Sequence, residues 1–206
     1  MKFGNEIYVV ALDGIPDTRS IEAIPERIRR NAVRAVNYAA GRSRTRTAKE
    51  MRDQVNFPAS YLRGDDSRLA LRTAKGFGDE ASITGRFRPT SLARFATRGR
   101  PSKPGVTFEV TPGKATRSKR MFLIRLPAGR SGVDTKSNMG VAIRLKPGET
   151  IDNKKVTLQQ MGKTGLYLLF GPSVNQVFRS VAGSDIPNIE TDLQREFSRL
   201  MGTEGL

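Results

Sequence analysis

The chain has 206 residues, with 36 lysines and arginines against 20 aspartates and glutamates, a formal net charge of +16, and neither cysteine nor histidine. The missing cysteines exclude a disulfide framework and thiolate metal sites, and the missing histidines remove the commonest metal ligand and the usual neutral-pH base. An apolar share of 37% plus 20 glycines is ordinary for a globular chain, so the length suits one domain with its own core.

Along the chain, residues 6–12 (EIYVVAL) are rich in β-branched and aromatic side chains and stop at the turn pair Asp13-Gly14, which predicts a short strand. The lead-in, residues 1–6, has no apolar stretch of the secretion-signal kind, and no run reaches the ~18 apolar residues of a membrane span. A soluble protein made inside the cell is the expectation. From Ile24 the period changes: Ile24, Ile28, Ala32, Ala35 and Ala39 draw one apolar stripe down a helix, with Pro25 in its first turn. Arg27, Arg30 and Arg34 share another face. That cationic stripe is either a solvated face paired with acids of the same domain, a phosphate-facing surface, or an interface lined with acids.

Gly41 is a weak point of that helix, costing roughly 1 kcal/mol against Ala. The alternation Arg42, Arg44, Arg46 fits a helix start or an extended arm equally well. Residues 56–63 look like a short helical turn entered through Asn56-Phe57-Pro58-Ala59, after which the period falls to two. Strands are predicted over 68–73, 80–85, 106–110, 120–126, 139–145 and 165–170, separated by Gly- and Pro-bearing turns. Two helices close the chain. Ser173 caps one over 174–181 after Gly171-Pro172, and Asn188 caps another whose Ile189, Leu193, Phe197, Leu200 and Met201 form an apolar stripe ended by Gly202.

The fold class is therefore α+β: an N-terminal amphipathic helix, a central, mostly antiparallel sheet with long basic loops, and two C-terminal helices. Residues 1–206 form a single domain, with extended arms or loops at 96–105 and 111–120, where Gly, Pro, small polar and basic residues concentrate. Such a segment is either ordered by a partner or a solvated hairpin tip.

Charge is the loudest functional signal. Residues 86–130 hold twelve cations and one acid, Glu109, and residues 27–52 hold nine cations and one acid, Glu50, while 146–206 is neutral. The contact residues expected for an acidic partner or DNA are Arg27, Arg30 and Arg34, then Arg42, Arg44 and Arg46, and in the middle of the chain Arg98, Arg100, Lys103, Lys114, Arg117, Lys119 and Arg120. Base-reading has little support, because there is no Trp, there are only four Tyr, and no zinc-finger or aromatic RNA-binding signature occurs. Contact with nucleic acid would run through the backbone and fall steeply with salt.

Catalytic constellations are sparse. Asp65-Asp66 is one acid cluster, the seed of a carboxylate-metal nuclease at most; Asp185, Glu190 and Asp192 are better read as supporting a helix N-terminus through its dipole. Gly76-Phe77-Gly78-Asp79 has two glycines but no Lys-Ser/Thr after them, so it reads as a loop rather than a phosphate-binding motif. No cofactor and no enzyme activity are expected.

The helix IPERIRRNAVRAVNYAAGRSRTRTAKEMRDQV, the following NFPASYL, the strands and basic loops through RFRPTSLARF and SKRMFLIRL, and the passage LYLLFGPSVNQVF together resemble the minor tail protein Z family of long-tailed bacteriophages, also called tail completion proteins. The resemblance spans roughly residues 23–200. Its most specific element is the strand-to-helix passage with Gly171, Pro172 and Ser173. It implies a non-enzymatic virion component of the neck or upper tail, made in the host cytoplasm, which completes the tail and joins it to the head-side connector. Its partners would be copies of itself in a ring, sixfold if matched to the tube, with tail tube, tail terminator or connector proteins, and genomic DNA in the channel, but no membrane. A stand-alone nucleic-acid-binding protein of low sequence preference is the alternative.

Overall fold

The computed structural model describes residues 24–63, 68–100, 103–126, 139–151, 156–162 and 164–203, with the backbone of 8–10. Strand β1 (Tyr8–Val10) lies inside the predicted strand over 6–12. The rest of that strand, and Asp65-Asp66, lie outside the described residues. Helix α1 (Glu26–Gln54) runs unbroken for 29 residues. Ala32, Ala35, Ala39, Ala40 and Ala48, with Ser43 and Thr47, make its buried face, and such small side chains let neighbouring elements approach closely. Gly41 does not break it, because packed turns on both sides outweigh a propensity cost of about 1 kcal/mol. The Arg42, Arg44, Arg46 alternation is thus helical rather than extended. Arg42 and Arg46 share one face and Arg44 points the other way.

After the short helix α2 (Ala59–Leu62), strands β2 (Leu69–Arg72) and β3 (Ala81–Gly85) join β1 in an antiparallel sheet ordered β1-β3-β2, which packs on α1. The second sheet takes up β4 (Pro89–Ser91), β5 (Ala96–Arg100), β6 (Lys103–Thr111), β7 (Lys114–Arg125), β8 (Met139–Arg144), β9 (Thr157–Met161) and β10 (Leu166–Ser173). Its order is β4-β10-β8-β7-β6-β5, with β9 also on β10, all antiparallel. Strands β4 and β5 stand at opposite ends of that order, yet only the 3₁₀ turn Leu92–Phe95 joins them. The sheet therefore curls enough for this one turn to span from the end of β4 to the start of β5. Leu92 and Phe95 are buried and touch β6, β8 and β10, so this turn fills the inside of the curl with Val106, Val141 and Leu169.

The stretches expected as arms or loops, 96–105 and 111–120, are mostly strand: 96–100 is β5, 103–105 opens β6, and 114–120 is the first part of β7. Composition misled because a ladder is made by backbone groups, which Gly, Ser, Thr, Lys and Arg all carry. Between β6 and β7 the turn narrows to Pro112-Gly113, flanked by the pair Thr111↔Lys114, with Gly113 at φ 74°; Pro followed by a positive-φ Gly suits such a turn. Strands β4 and β9 have no counterpart among the predicted strands.

The helix-entry motif behaves as read. Gly171 pairs with Thr90, the register shifts between Gly171 and Ser173, and Pro172 sits at that irregularity, where its missing N–H breaks no ladder bond. Ser173 then caps α3 (Val174–Ala182): Gln176 N donates to Ser173 Oγ at 3.1 Å, and Ser173 N to Gln176 Oε1 at 2.8 Å. A 3₁₀ turn, Gly183–Asp185, leads directly into α4 (Ile186–Thr203), which packs along α1. This corrects the expectation for Asn188, which is inside the first turn of α4 rather than capping it and donates to Asp185 Oδ1 at 3.1 Å.

Candidate interaction surface

Each expected contact residue falls into one of three settings. Arg27, Arg30 and Arg34 are exposed on the first turns of α1. Each engages groups of the same chain, and the charge of Arg34 helps hold the Glu196 carboxyl below its usual range, behind the hydrogen bond from Arg199.

The next three, Arg42 at an exposed position and Arg44 and Arg46 half-buried, are engaged within the fold. Arg46 donates through Nε to Asp185 Oδ1 at 2.5 Å, through Nη2 to Asp185 Oδ2 at 3.2 Å and through Nη1 to Asp192 Oδ2 at 2.5 Å. Asp185 is fully buried and Asp192 nearly so. One helical turn earlier, Arg42 brings Nε to 3.3 Å from Asp192 and lies over the Tyr38 ring; Arg195 adds a third cation to Asp192. Burial pushes the Asp192 carboxyl up, but the guanidinium of Arg46, backed by Arg42 and Arg195, holds it below the ordinary range. Arg44 faces the other way and donates to the carbonyls of Leu69 at 2.9 Å and Leu62 at 3.4 Å. These three tie α1 to α4 and to the β2 region. Asp185 precedes α4, where a carboxylate suits the helix dipole, but its principal partner is Arg46. The signal for this lay in the spacing: Asp185 and Asp192 are seven apart, on the same face as Ile189 and Leu193, and a carboxylate in an apolar stripe demands a cation.

The mid-chain cations lie on β5, β6 and the first part of β7. Arg98, Lys103, Lys114, Arg117 and Lys119 are exposed, and none of them has a carboxylate partner among the described residues. Arg98 pairs with Thr107 and Thr107 with Arg117, so the two arginines flank Thr107 on the face opposite buried Val106, roughly 10 Å apart across two strand spacings. The one acid of this stretch, Glu109, accepts from Gly113 N at 2.7 Å and so serves the turn. A bulge switches the inward side of β7 from Ser118 to Met121, with Ser118 Oγ accepting from the amides of Arg120 and Met121, and leaves both Lys119 and Arg120 outward. Arg120 is tied to Glu149 at 2.6 Å; its hydrogen bond, with that of Lys146 N, holds the Glu149 carboxyl down to about 2. Arg100 pairs through its backbone with Lys103.

The ribbon β5-β6-β7 is thus a strip of long cationic side chains on a hydrogen-bonded scaffold, suited to a polyanionic surface and, among the described residues, with no exposed aromatic ring to stack a base. Among the described residues no helix is long and apolar enough to cross a membrane. The chain matches no family model, no curated protein and no solved structure.

Proposed function

We propose that this chain is a non-enzymatic structural protein of a phage neck or upper tail, forming a ring of copies that completes the tail and joins it to the head-side connector. The observation that carries this reading is the cationic ribbon: five exposed cations on ordered strands, with the single local acid committed to a turn. Like charges held this close repel one another, and an acidic counterpart in an assembly removes that cost. The resemblance of the helix-entry passage and of the arginine-rich helix to tail completion proteins supplies the setting. Neighbouring copies, tail tube, terminator or connector proteins, and DNA in the channel are the acidic counterparts on this reading.

The test is complementation of tail assembly with Arg98→Glu/Arg117→Glu. Both side chains are exposed, so folding stability should change by no more than about 0.5 kcal/mol. Unjoined heads and tails are the expected particles. Fully joined, infective particles would remove the ribbon from the assembly role. The stand-alone DNA-binding reading takes over if the protein is absent from purified particles and binds random duplex with a log–log salt slope near −0.9 per neutralised phosphate.

A further inference from the structure

The five ribbon cations differ from Arg42, Arg44 and Arg46 in their surroundings. Arg98, Lys103, Lys114, Arg117 and Lys119 are exposed without a carboxylate partner among the described residues, while Glu109 serves a turn and Glu149 is held by Arg120. Their backbone is fixed before any partner arrives. Strand β6 is bonded on both sides, to β5 and to β7, and Gly99 faces inward so closely that a Cβ there would come to 3.0 Å from Leu123 Cδ1. Alternation along β5 therefore turns Arg98 outward. Arg98 and Arg117 flank Thr107 roughly 10 Å apart across two strand spacings, and Lys119 follows Arg117 on the same face of β7 after roughly 7 Å. Lys103 opens β6 and Lys114 stands beside its far end, so the strip is roughly 25 Å long at ~3.3 Å per residue.

The chemistry of this strip selects its partner. A protein surface that docks stably keeps an apolar, aromatic-rich centre in which lysine is depleted. Here the exposed run 111–117 reads TPGKATR, without a large apolar side chain. Single-stranded nucleic acid is held by stacking its bases on aromatic rings, and the ribbon exposes no such ring among the described residues. Duplex DNA asks for neither. Its outside carries one negative charge per about 1.7 Å of axis, and the phosphate walls of its grooves stand about 6 or 12 Å apart. A row of cations ~10 Å across, with long side chains at each end, reaches both walls of a groove. The strip's length of roughly 25 Å covers about seven base pairs at 3.4 Å each.

We propose that the β5-β6-β7 ribbon is a seat for duplex DNA, which it holds by the phosphates on both sides of one groove without reading bases. Arg98 takes one wall, Arg117 and Lys119 the other, and Lys103 and Lys114 the two ends of the strip. The seat names one partner among those of the assembly role, and it rests on the ribbon being the surface that meets a partner.

Fluorescence anisotropy of the full chain with a labelled random duplex of about 20 base pairs, between about 50 and 200 mM sodium chloride, tests this. Five neutralised phosphates give a log–log salt slope near −4.5, so affinity should fall roughly 500-fold over that range. A·T-rich and G·C-rich duplexes should bind within about twofold of each other, because phosphate contacts carry no sequence information, and a single strand of equal length should bind more weakly. Arg98→Gln/Arg117→Gln should make the slope shallower by about 2 with folding retained. Lys114→Gln/Lys119→Gln should do the same, and carries the test if the arginine pair fails to fold. Lys75→Gln, on the turn between β2 and β3 of the other sheet, should leave the slope unchanged. The seat is overturned if the duplex does not bind at low salt, if Lys75→Gln flattens the slope by about 1 as a ribbon cation should, if base composition changes affinity about tenfold or more, if the single strand binds tighter, or if polyglutamate of equal charge displaces the duplex, which would assign the ribbon to an acidic protein. Its failure is separable from that of the assembly role. Absent duplex binding, with Arg98→Glu/Arg117→Glu still leaving heads and tails unjoined, overturns the seat and keeps the virion role; ribbon-dependent duplex binding, with fully joined particles from that variant, does the reverse.

Discussion

Arg46 has a large consequence for stability, because both of its carboxylate acceptors are inside the molecule. Removing it leaves the fully buried Asp185 carboxylate with no guanidinium across from it, and breaking a buried pair from one side typically costs about 3–5 kcal/mol. Arg46→Met should therefore lower the urea midpoint by a large part of total stability, whereas Arg42→Ala, at a half-exposed position on the Asp192 carboxylate, should cost about 1 kcal/mol or less. The pH dependence has a definite sign. The Asp192 carboxyl is depressed in the folded chain, so its contribution is present above its unfolded value, near 3.9, and is lost as pH falls through the lower folded value. Acid titration should show Arg46→Met losing less stability below pH ~4 than the parent. An equal acid loss in both proteins would mean that the lock does not titrate as described. At this scale the sequence was half legible. The cations were found, but alternation in the text hid the 40° and 200° offsets that send Arg42 and Arg46 one way and Arg44 the other.

Elements were more legible than single contacts, since period and capping are local. The α1 stripe, the order of strands and the Ser173 cap all follow from apolar spacing and from Ser173 lying three residues before Gln176. Ser173→Ala removes one half of that reciprocal cap and should destabilise the chain by about 1 kcal/mol, readable as a shifted denaturant midpoint with unchanged slope. What stayed hidden were elements without an apolar signature. β4 has three residues, β9 reads TLQQM, and β5 reads ATRGR; their strand state comes from the partner across the ladder. The same tertiary dependence marks Gly85. A Cβ there would lie 2.7 Å from Asn175 Cα, while Asn175 N donates to the Arg86 carbonyl at 3.1 Å. Gly85→Ala must push the end of β3 away from the start of α3, a backbone shift expected to cost about 1–3 kcal/mol. Thermal unfolding indistinguishable from the parent would show that this junction gives more easily than its contacts suggest.

For the molecule as a whole, the distribution of charge matters more than its total. Several carboxylates are committed to arginines within the fold, Asp185 and Asp192 to Arg46, Glu149 to Arg120 and Glu196 to Arg199, and a formal +16 remains over the chain. The surplus was readable from composition. Where it collects was not, because that depends on which acids the fold consumes: the neutral C-terminal third supplies both carboxylates of the Arg46 lock, and the ribbon β5-β6-β7 keeps its cations outward. Exposed like charges repel and weaken the compact state, and salt screens them as the Debye length falls from about 30 Å at 0.01 M to about 8 Å at 0.15 M. The buried lock is screened far less. Raising sodium chloride over that range should therefore raise the melting temperature of the isolated chain, and Arg98→Glu/Arg117→Glu should start higher and gain less. A polyanion that seats on the ribbon stabilises by binding the folded state as well as by screening, so heparin should raise melting further than sodium chloride of equal ionic strength, and that extra increment should vanish in the double variant. A melting temperature that falls with salt in the parent would place the dominant electrostatics in surface ion pairs instead of in the cationic excess, and would remove the physical motive for an acidic counterpart.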